Sequence, residues 1–383
     1  MADVSRPLRV MVFLHSFEPG GVERVALRLC GAWAADPALD VRLVMGRLAG
    51  AMRNEAPPGL PLHVTREPFP TAGWETIWMM IVLFGEIRRQ RPDVIFAAGN
   101  SYSIVAVVMK LLLGRNCPPF VLKISNDLER RDLPPPVRWV YHRWLRVQGR
   151  MIDRFTGLAE PMRDELVAAL GVIPDRVAII DDPALADADV TALAAIPRSP
   201  ITARRYVGVG RLAAQKNFAS LVAAFAIAAG PDDSLTIVGE GGERGRLERQ
   251  IATLGLAGRV HLPGHGAVTP ALAAADVFVL SSDYEALPAV VVEALASGLP
   301  VVATDCCVSM RSLVGDFGSI VPCGDAGLLA AAMRNQPALT DTQRAAAATA
   351  MRAFTVERAA GLYGQLFMRV TAGAGPENAI LRR

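Results

Sequence analysis

Two doubly wound α/β domains are what this sequence predicts, on three observations. The chain has 383 residues, more than one hydrophobic core usually supports. Short runs rich in Val, Ile and Leu alternate with segments of helical periodicity, the pattern of parallel strands covered by helices on both faces. The alternation stops across residues 181–205, where Asp-Asp-Pro, Ile-Pro and Ser-Pro steps break all periodicity, and then starts again.

In the first half, strands are expected at 8–14, 41–45, 62–65, 94–98, 120–124, 155–159 and 177–180. Helices are expected at 22–34, 77–89, 102–113 and 137–151. In the second half, strands are expected at 206–209, 235–238, 260–262, 277–280 and 301–303. A helical stretch over 340–370 is long enough to bend. These elements predict a first domain over 1–185, a linker over 186–204 and a second domain over 205–355. A C-terminal helix, 356–372, is free to pack back on the first domain, and 373–383 is a loose tail. Ligands of doubly wound sheets sit at the carboxyl ends of the strands, so two such domains are expected to face a central cleft.

Composition narrows the classes. With 52% hydrophobic and 20% charged residues the chain reads as an ordinary globular protein, and a net charge of +3 is too mild to point to nucleic acid. The five cysteines show no C-x-x-C spacing, so neither a zinc site nor a disulfide framework is expected, and a reducing cytoplasm fits. No apolar run reaches the ~18–20 residues that span a bilayer, and the apolar N-terminal stretch is too short for a signal peptide. Only three lysines occur, Lys110, Lys123 and Lys216. Arginine is the default cation, which makes a lysine at a motif position informative.

Chemistry concentrates in the second half. After the strand at 277–280 come Glu285, Leu287 and Pro288, then an Ala/Val/Leu helix containing Glu293 and ending at Gly298 and Pro300. Pro288 suits a first helical turn, and the free N–H groups there suit a diphosphate. Glu293 lies among apolar residues, where an ionised carboxylate is costly unless it meets hydroxyls such as those of a ribose; the alternative is a carboxylate reaching solvent at the rim. After the strand at 206–209, Arg211 and Lys216 share one loop, two cations suited to a departing diphosphate, with Asn217 as helix N-cap. The alternative is a pair of solvated surface cations, which their position after a strand and the rarity of lysine in this chain disfavour. Gly239, Glu240 and Gly241 form a third, weaker signal, glycines after a strand that allow close approach.

With these motifs in order, the chain resembles glycosyltransferase family 4, retaining enzymes of the GT-B fold. The match is specific over 207–322: Gly-Arg-Leu with Gln-Lys-Asn, Val-Gly-Glu-Gly, Leu-Pro-Gly at 262–264 and the E-x7-E element from Glu285 to Glu293. In the first domain it rests on Pro19-Gly20-Gly21-Val22-Glu23. The resemblance implies two Rossmann-like domains and catalytic roles for Arg211, Lys216 and Glu285. It implies donor binding by Gly20, Gly21, Gly239, Glu240, Leu287, Pro288 and Glu293, and neither a cofactor nor a bound metal. A nucleotide sugar, with UDP the expected nucleotide, is a substrate rather than a cofactor, and no covalent enzyme intermediate is implied.

Three segments depart from the family pattern. The loop after the fourth strand carries Asn100 where many members have histidine; residues 180–183 read Ile-Asp-Asp-Pro; and Cys306-Cys307 occupy a loop that often holds glycine and an acid. Asn100 and Asn126 are expected on the acceptor side, with Lys123 near them. Residues 130–154 hold seven arginines against two aspartates, a net charge of +5, with Val137, Val140, Tyr141, Trp144, Val147 and Met151 at helical spacing. That segment reads equally as a helix on an anionic membrane surface or as a core helix with a solvated arginine face. The expected protein is therefore a cytoplasmic glycosyltransferase, peripheral to the membrane under the first reading, acting on a glycan or lipid-linked acceptor in bacterial polysaccharide synthesis. A UDP-sugar epimerase of the same fold and a catalytically silent nucleotide-sugar-binding protein are the competing readings.

Overall fold

A computed structural model of the protein describes residues 6–67, 70–125, 128, 130, 133–198 and 203–372. The chain divides into two compact units, Met1–Pro183 with Val356–Arg383, and Ala184–Thr355.

In the first unit seven parallel strands run in the order β3-β2-β1-β4-β5-β6-β7. They are β1 (Leu8–Leu14), β2 (Leu39–Met45), β3 (Leu62–Val64), β4 (Val94–Ala97), β5 (Phe120–Lys123), β6 (Arg154–Gly157) and β7 (Val177–Ile179). Strands buried on both faces need apolar residues at nearly every position, which is why β4 reads as a continuous apolar run and β5 as one broken only at its last residue, Lys123. Right-handed crossovers place α1 (Gly21–Ala34) on one face. The same rule puts α2 (Glu75–Gln90), α3 (Ser103–Leu113), α4 (Pro135–Met151) and α5 (Met162–Leu170) on the other.

The second unit repeats the topology with six strands in the order β10-β9-β8-β11-β12-β13. They are β8 (Arg205–Val209), β9 (Ser234–Val238), β10 (Val260–Gly264), β11 (Val277–Leu280), β12 (Val301–Thr304) and β13 (Gly318–Val321). Its helices are α6 (Asp187–Ala194), α7 (Phe218–Ala228), α8 (Arg244–Thr253), α9 (Val268–Ala274), α10 (Ala289–Ala296), α11 (Met310–Val314), α12 (Ala326–Asn335) and α13 (Asp341–Met351). Alternate strand residues serve opposite faces. Val207, Phe278 and Val301 pack with α6 and α10, whereas Tyr206, Val279 and Val302 pack with α7, α8 and α12.

Three elements differ from the sequence reading. The 186–204 stretch, expected as a linker, contains α6, whose Val190 and Leu193 lie in the second unit's core. Farther along it, Arg198 donates to the carbonyls of Leu272 (2.7 Å), Ala275 (3.1 Å) and Ser297 (3.1 Å), so it caps the C-terminal ends of α9 and α10. Burial pushes its guanidinium down to about 10. The expected 340–370 helix is two: α13 starts on the Thr340–Gln343 capping box, and α14 (Val356–Ala372) belongs to the first unit. The edge strand β13 had no strand signal, since its first two residues are glycine and serine.

The return of α14 is held by aromatic packing beside α1. The Trp33 ring meets Tyr363 and Phe367 edge-on, with centroids at 5.7 and 5.2 Å, and its Nε1 donates to the Ala360 carbonyl at 3.1 Å. Among the described residues no helix is long and apolar enough to cross a membrane. Because Phe367 is fully buried, Phe367→Ala should destabilise the first unit by about 3–5 kcal/mol. Chemical denaturation followed by tryptophan fluorescence checks this; an unchanged midpoint would show that α14 adds nothing.

Candidate functional site

Both sheets reverse direction at equivalent places, between β1 and β4 in the first unit and between β8 and β11 in the second. Ligands of doubly wound sheets sit outside the strand ends at such switch points.

At the second switch point two loops are stitched together. The Lys216 ammonium donates to Glu285 Oε1 at 2.5 Å, and the Ser282 hydroxyl donates to the same oxygen at 2.6 Å. The Ser281 hydroxyl donates to the Lys216 carbonyl (2.9 Å), the Asp283 N–H to the Gln215 carbonyl (2.9 Å), and the Gln215 amide to the Tyr284 carbonyl (2.8 Å). Asn217 N-caps α7 by accepting from the Ser220 N–H, while its own amide donates to Asp283 at 2.9 Å. Lys216 and Glu285 are both mostly buried, with side chains 18% and 10% exposed. A pair this dry requires good geometry and extra hydrogen bonds, which Ser282 supplies.

Arg211 follows β8 on the same loop. It is exposed, and among the described residues its guanidinium has no hydrogen-bond or ion partner. Pro288 is the N-cap of α10 rather than a first-turn residue, with φ −77° and ψ 96°. The early N–H groups of α10 therefore begin just after Leu287 and Pro288. Glu293 lies mid-helix, half-buried, between fully buried Val292 and Ala294. The loop after β12 closes the other side: the Glu285 N–H donates to the Cys306 carbonyl at 3.1 Å, and Thr304 Oγ1 donates to the Ser282 carbonyl at 2.6 Å. Hydrogen bonding with Cys307, together with burial, pushes the Cys306 thiol up, which favours its protonated form.

The glycine turn after β9 lies against the β8 loop. Gly239 has φ +149°, and an added Cβ would overlap the Gly210 carbonyl oxygen. Glu240 is exposed, with its carboxylate held by the Arg244 guanidinium at 2.6 and 2.9 Å; Arg244 also holds Glu248 at 3.0 Å. Among the described residues no three His, Cys, Asp or Glu side chains gather as metal ligands.

In the first unit Gly20 is the extended N-cap of α1 and Gly21 its first residue. Asn100 is engaged locally: its Oδ1 accepts from the Ser125 N–H at 2.7 Å, tying the β4 loop to the end of β5. Lys123 turns inward to Asp182 at 2.6 Å and is only 1% exposed, so it is an internal ion-pair partner rather than an acceptor-side group. Asn126 lies outside the described residues.

The sequence reading missed a polar cluster at this first switch point. The His15 ring, just after β1, stacks on Tyr102 at 4.7 Å, and the Tyr102 hydroxyl donates to Glu23 at 2.9 Å. His15 Nε2 is buried without a hydrogen-bond partner among the described residues. A lone histidine among apolar residues carries no periodic signal; its place at the end of the first strand was the only available cue.

Known proteins share both the sequence and the architecture. A family model described as "Glycosyl transferase 4-like domain" matches residues 20–182, and one described as "Glycosyl transferases group 1" matches 203–336. The chain belongs to glycosyltransferase family 4. This glycosyltransferase is 28% identical over 391 residues to the 2-deoxystreptamine N-acetyl-D-glucosaminyltransferase of Streptomyces fradiae, covering 88% of this chain and 89% of that one. It is 40% identical over 107 residues to the lipopolysaccharide core biosynthesis glycosyltransferase LpsE of Rhizobium meliloti. That match spans 28% of this chain and about a third (31%) of its relative. Among solved structures, Anabaena HepE in complex with UDP and glucose superposes with a TM-score of 0.73 at 19% identity, over 94% of this chain and 100% of that one. The fold is accordingly GT-B.

Two measurements follow from this geometry. Gly239→Ala should cost about 1–3 kcal/mol or more through backbone strain and overlap, whereas Gly242→Ala, whose added Cβ meets nothing, should leave the melting temperature unchanged. Equal melting temperatures for the two variants would contradict the close approach. Burial, opposed by Glu75 and Glu23, lowers the His15 pKa below its ordinary 6.5. The neutral ring's contribution to stability is then complete above that value and is lost as pH falls below it. His15→Gln should therefore flatten part of the loss in melting temperature on acidification to about pH 5.5; an unaltered pH profile would contradict a buried neutral imidazole.

Proposed function

We propose that this glycosyltransferase moves a sugar, with retention of anomeric configuration, from a UDP-linked donor to a glycan or lipid-linked acceptor in bacterial cell-surface glycan synthesis. The observation that carries this reading is the joined pair of loops at the second switch point, where Arg211 and Lys216 follow the carboxyl end of β8, Glu285 and the start of α10 follow that of β11, and Lys216 is bonded to Glu285. The part of LpsE in lipopolysaccharide core biosynthesis and the UDP held by HepE support the substrate classes.

The chemistry follows from charge. Breaking the bond between sugar and phosphate leaves negative charge on the diphosphate, and groups that bind it more strongly as it leaves accelerate the step. Lys216 has two ammonium N–H donors beyond the one given to Glu285, and the Arg211 guanidinium offers a planar fork. The first-turn N–H groups of α10, after Leu287 and Pro288, add the positive end of a helix dipole. In this reading those groups meet the phosphate charge, and the enzyme needs neither a bound metal nor a cofactor. Glu285 holds Lys216 in place through one oxygen and turns the other to the donor sugar, while Glu293 binds the ribose hydroxyls. Gly239 brings the backbone close to the nucleotide, and Glu240 has the lesser role, being held by Arg244. Gly20 and Gly21 present bare backbone to a ligand at the start of α1, and Asn100 shapes the acceptor side. The acceptor hydroxyl would attack on the face the phosphate leaves, with a phosphate oxygen taking its proton. Contact with an anionic membrane surface through 130–154 fits a lipid-linked acceptor.

Lys216→Ala and Glu293→Ala should each weaken UDP binding by tenfold or more, because hydrogen bonds to charged groups are worth ~1.5–3 kcal/mol. Calorimetric titration with UDP reads this, and nucleotide release from a panel of nucleotide sugars, with and without a chelator, reads turnover. Wild-type affinity in both variants would sink the site, and UDP binding without release from any donor in the presence of membrane extract would favour a silent binding protein.

A further inference from the structure

The outer helix layer of the first unit is unlike the rest of the molecule. The helices α2, α3 and α4 lie side by side on one face of the sheet, α2 packing on α3 and α3 on α4. Surface helices ordinarily turn their apolar stripe inward, and single exposed apolar residues are normal. Yet of the nineteen large apolar side chains exposed among the described residues, nine stand on these three helices, and no other helix carries more than one.

Their arrangement is periodic. On α2, Ile77, Ile81 and half-buried Phe84 form an outward stripe that ends at Arg88, whose guanidinium lies 5.5 Å over the Phe84 ring. On α3 the stripe is Ile104, Leu111 and Leu112, with Leu111 67% exposed. On α4 only Leu145, Gln148 and Gly149 are buried. A core helix would bury Val137, Val140 and Val147; all three are exposed, and Trp139 is 61% exposed with Arg143 stacked 4.8 Å over it. Helical geometry sets Trp139, Val140 and Val147 on the same outward half as Arg143, Arg146 and Arg150. Those three arginines have no carboxylate partner among the described residues, and neither α3 nor α4 contains an acidic residue.

We infer that this layer docks on an anionic lipid bilayer, with Trp139, Val140 and the α3 leucines entering the headgroup boundary and the α4 arginines on lipid phosphates. Large apolar side chains interleaved with unpaired arginines match an interface in which hydrocarbon and anionic phosphate lie within one side-chain length of each other. The inference deepens the proposed use of a lipid-linked acceptor, since a sugar on such a lipid is presented at this surface. It stands on the helix layer alone.

The full chain is sedimented with phosphatidylcholine vesicles and with vesicles that also contain phosphatidylglycerol, with no nucleotide sugar present. The expected result is binding to the anionic vesicles, weak binding to the neutral ones, and weakening by salt. R143E/R146E/R150E and W139S/V140S should each lower the partition coefficient at least tenfold, with melting temperature and UDP affinity unchanged. Absence of wild-type binding to anionic vesicles, or undiminished binding by both variants, overturns the inference. So does a concentration-dependent dimer in vesicle-free buffer that W139S/V140S dissolves, since a second copy would then cover the face. Vesicle binding with no UDP affinity would instead remove the donor reading and leave this one intact.

Discussion

The Lys216–Glu285 ion pair is the interaction on which the donor side of this protein depends. It joins the loop after β8 to the loop after β11, across the point where the strand order reverses. A charge pair with so little exposure is costly to assemble and costlier to break from one side, because the remaining ion is left desolvated. Ser282 on the shared oxygen, and the backbone bonds from Gln215 to Asp283 and Tyr284, keep the two loops in a single register. Arg211, the start of α10 and the Gly239 turn all take their positions from those loops. The pair is therefore a positioning device as much as a source of charge.

The helices that carry functional groups are fixed at their far ends by residues distant in sequence. Arg198 caps α10 from a segment nearly a hundred residues upstream, through Ser297. It offsets the negative end of the helix dipole just where the buried helix needs its carbonyls satisfied. In the first unit α14 returns from the end of the chain to close one face of the sheet around Trp33. The opposite face carries the α2–α4 layer, where apolar and cationic side chains remain outside. The two faces of one sheet thus serve different ends, one closed by aromatic packing and one left open.

Much of this was legible in the sequence because its signals are local. A parallel strand buried on both faces must be apolar at each residue, and a helix must repeat every 3.6, so β1, β4, β8, β11 and most helices could be read from windows of a few residues. Asn217 as N-cap was equally legible, because capping is decided within four residues. Less was legible where a distant partner decides. The helix α6 has too weak a stripe to stand out among prolines and becomes a core element through its neighbours in the second unit. Lys123 looks like a site cation until Asp182, far along the chain, is folded against it. Glu240 sits in a motif, but Arg244 one turn later takes its carboxylate.

The sequence by itself determined the fold class, the family and the order of the chemical groups along the second unit. Those properties are written in periodicity and spacing, which survive without knowledge of any contact. Only the tertiary structure decided that Lys216 and Glu285 are bonded to each other, that His15 is stacked and dry, and that α4 turns both its valines and its arginines outward. Ion pairing, desolvation and the choice of buried helix face depend on which atoms meet across tens or hundreds of residues, and a linear pattern does not encode that.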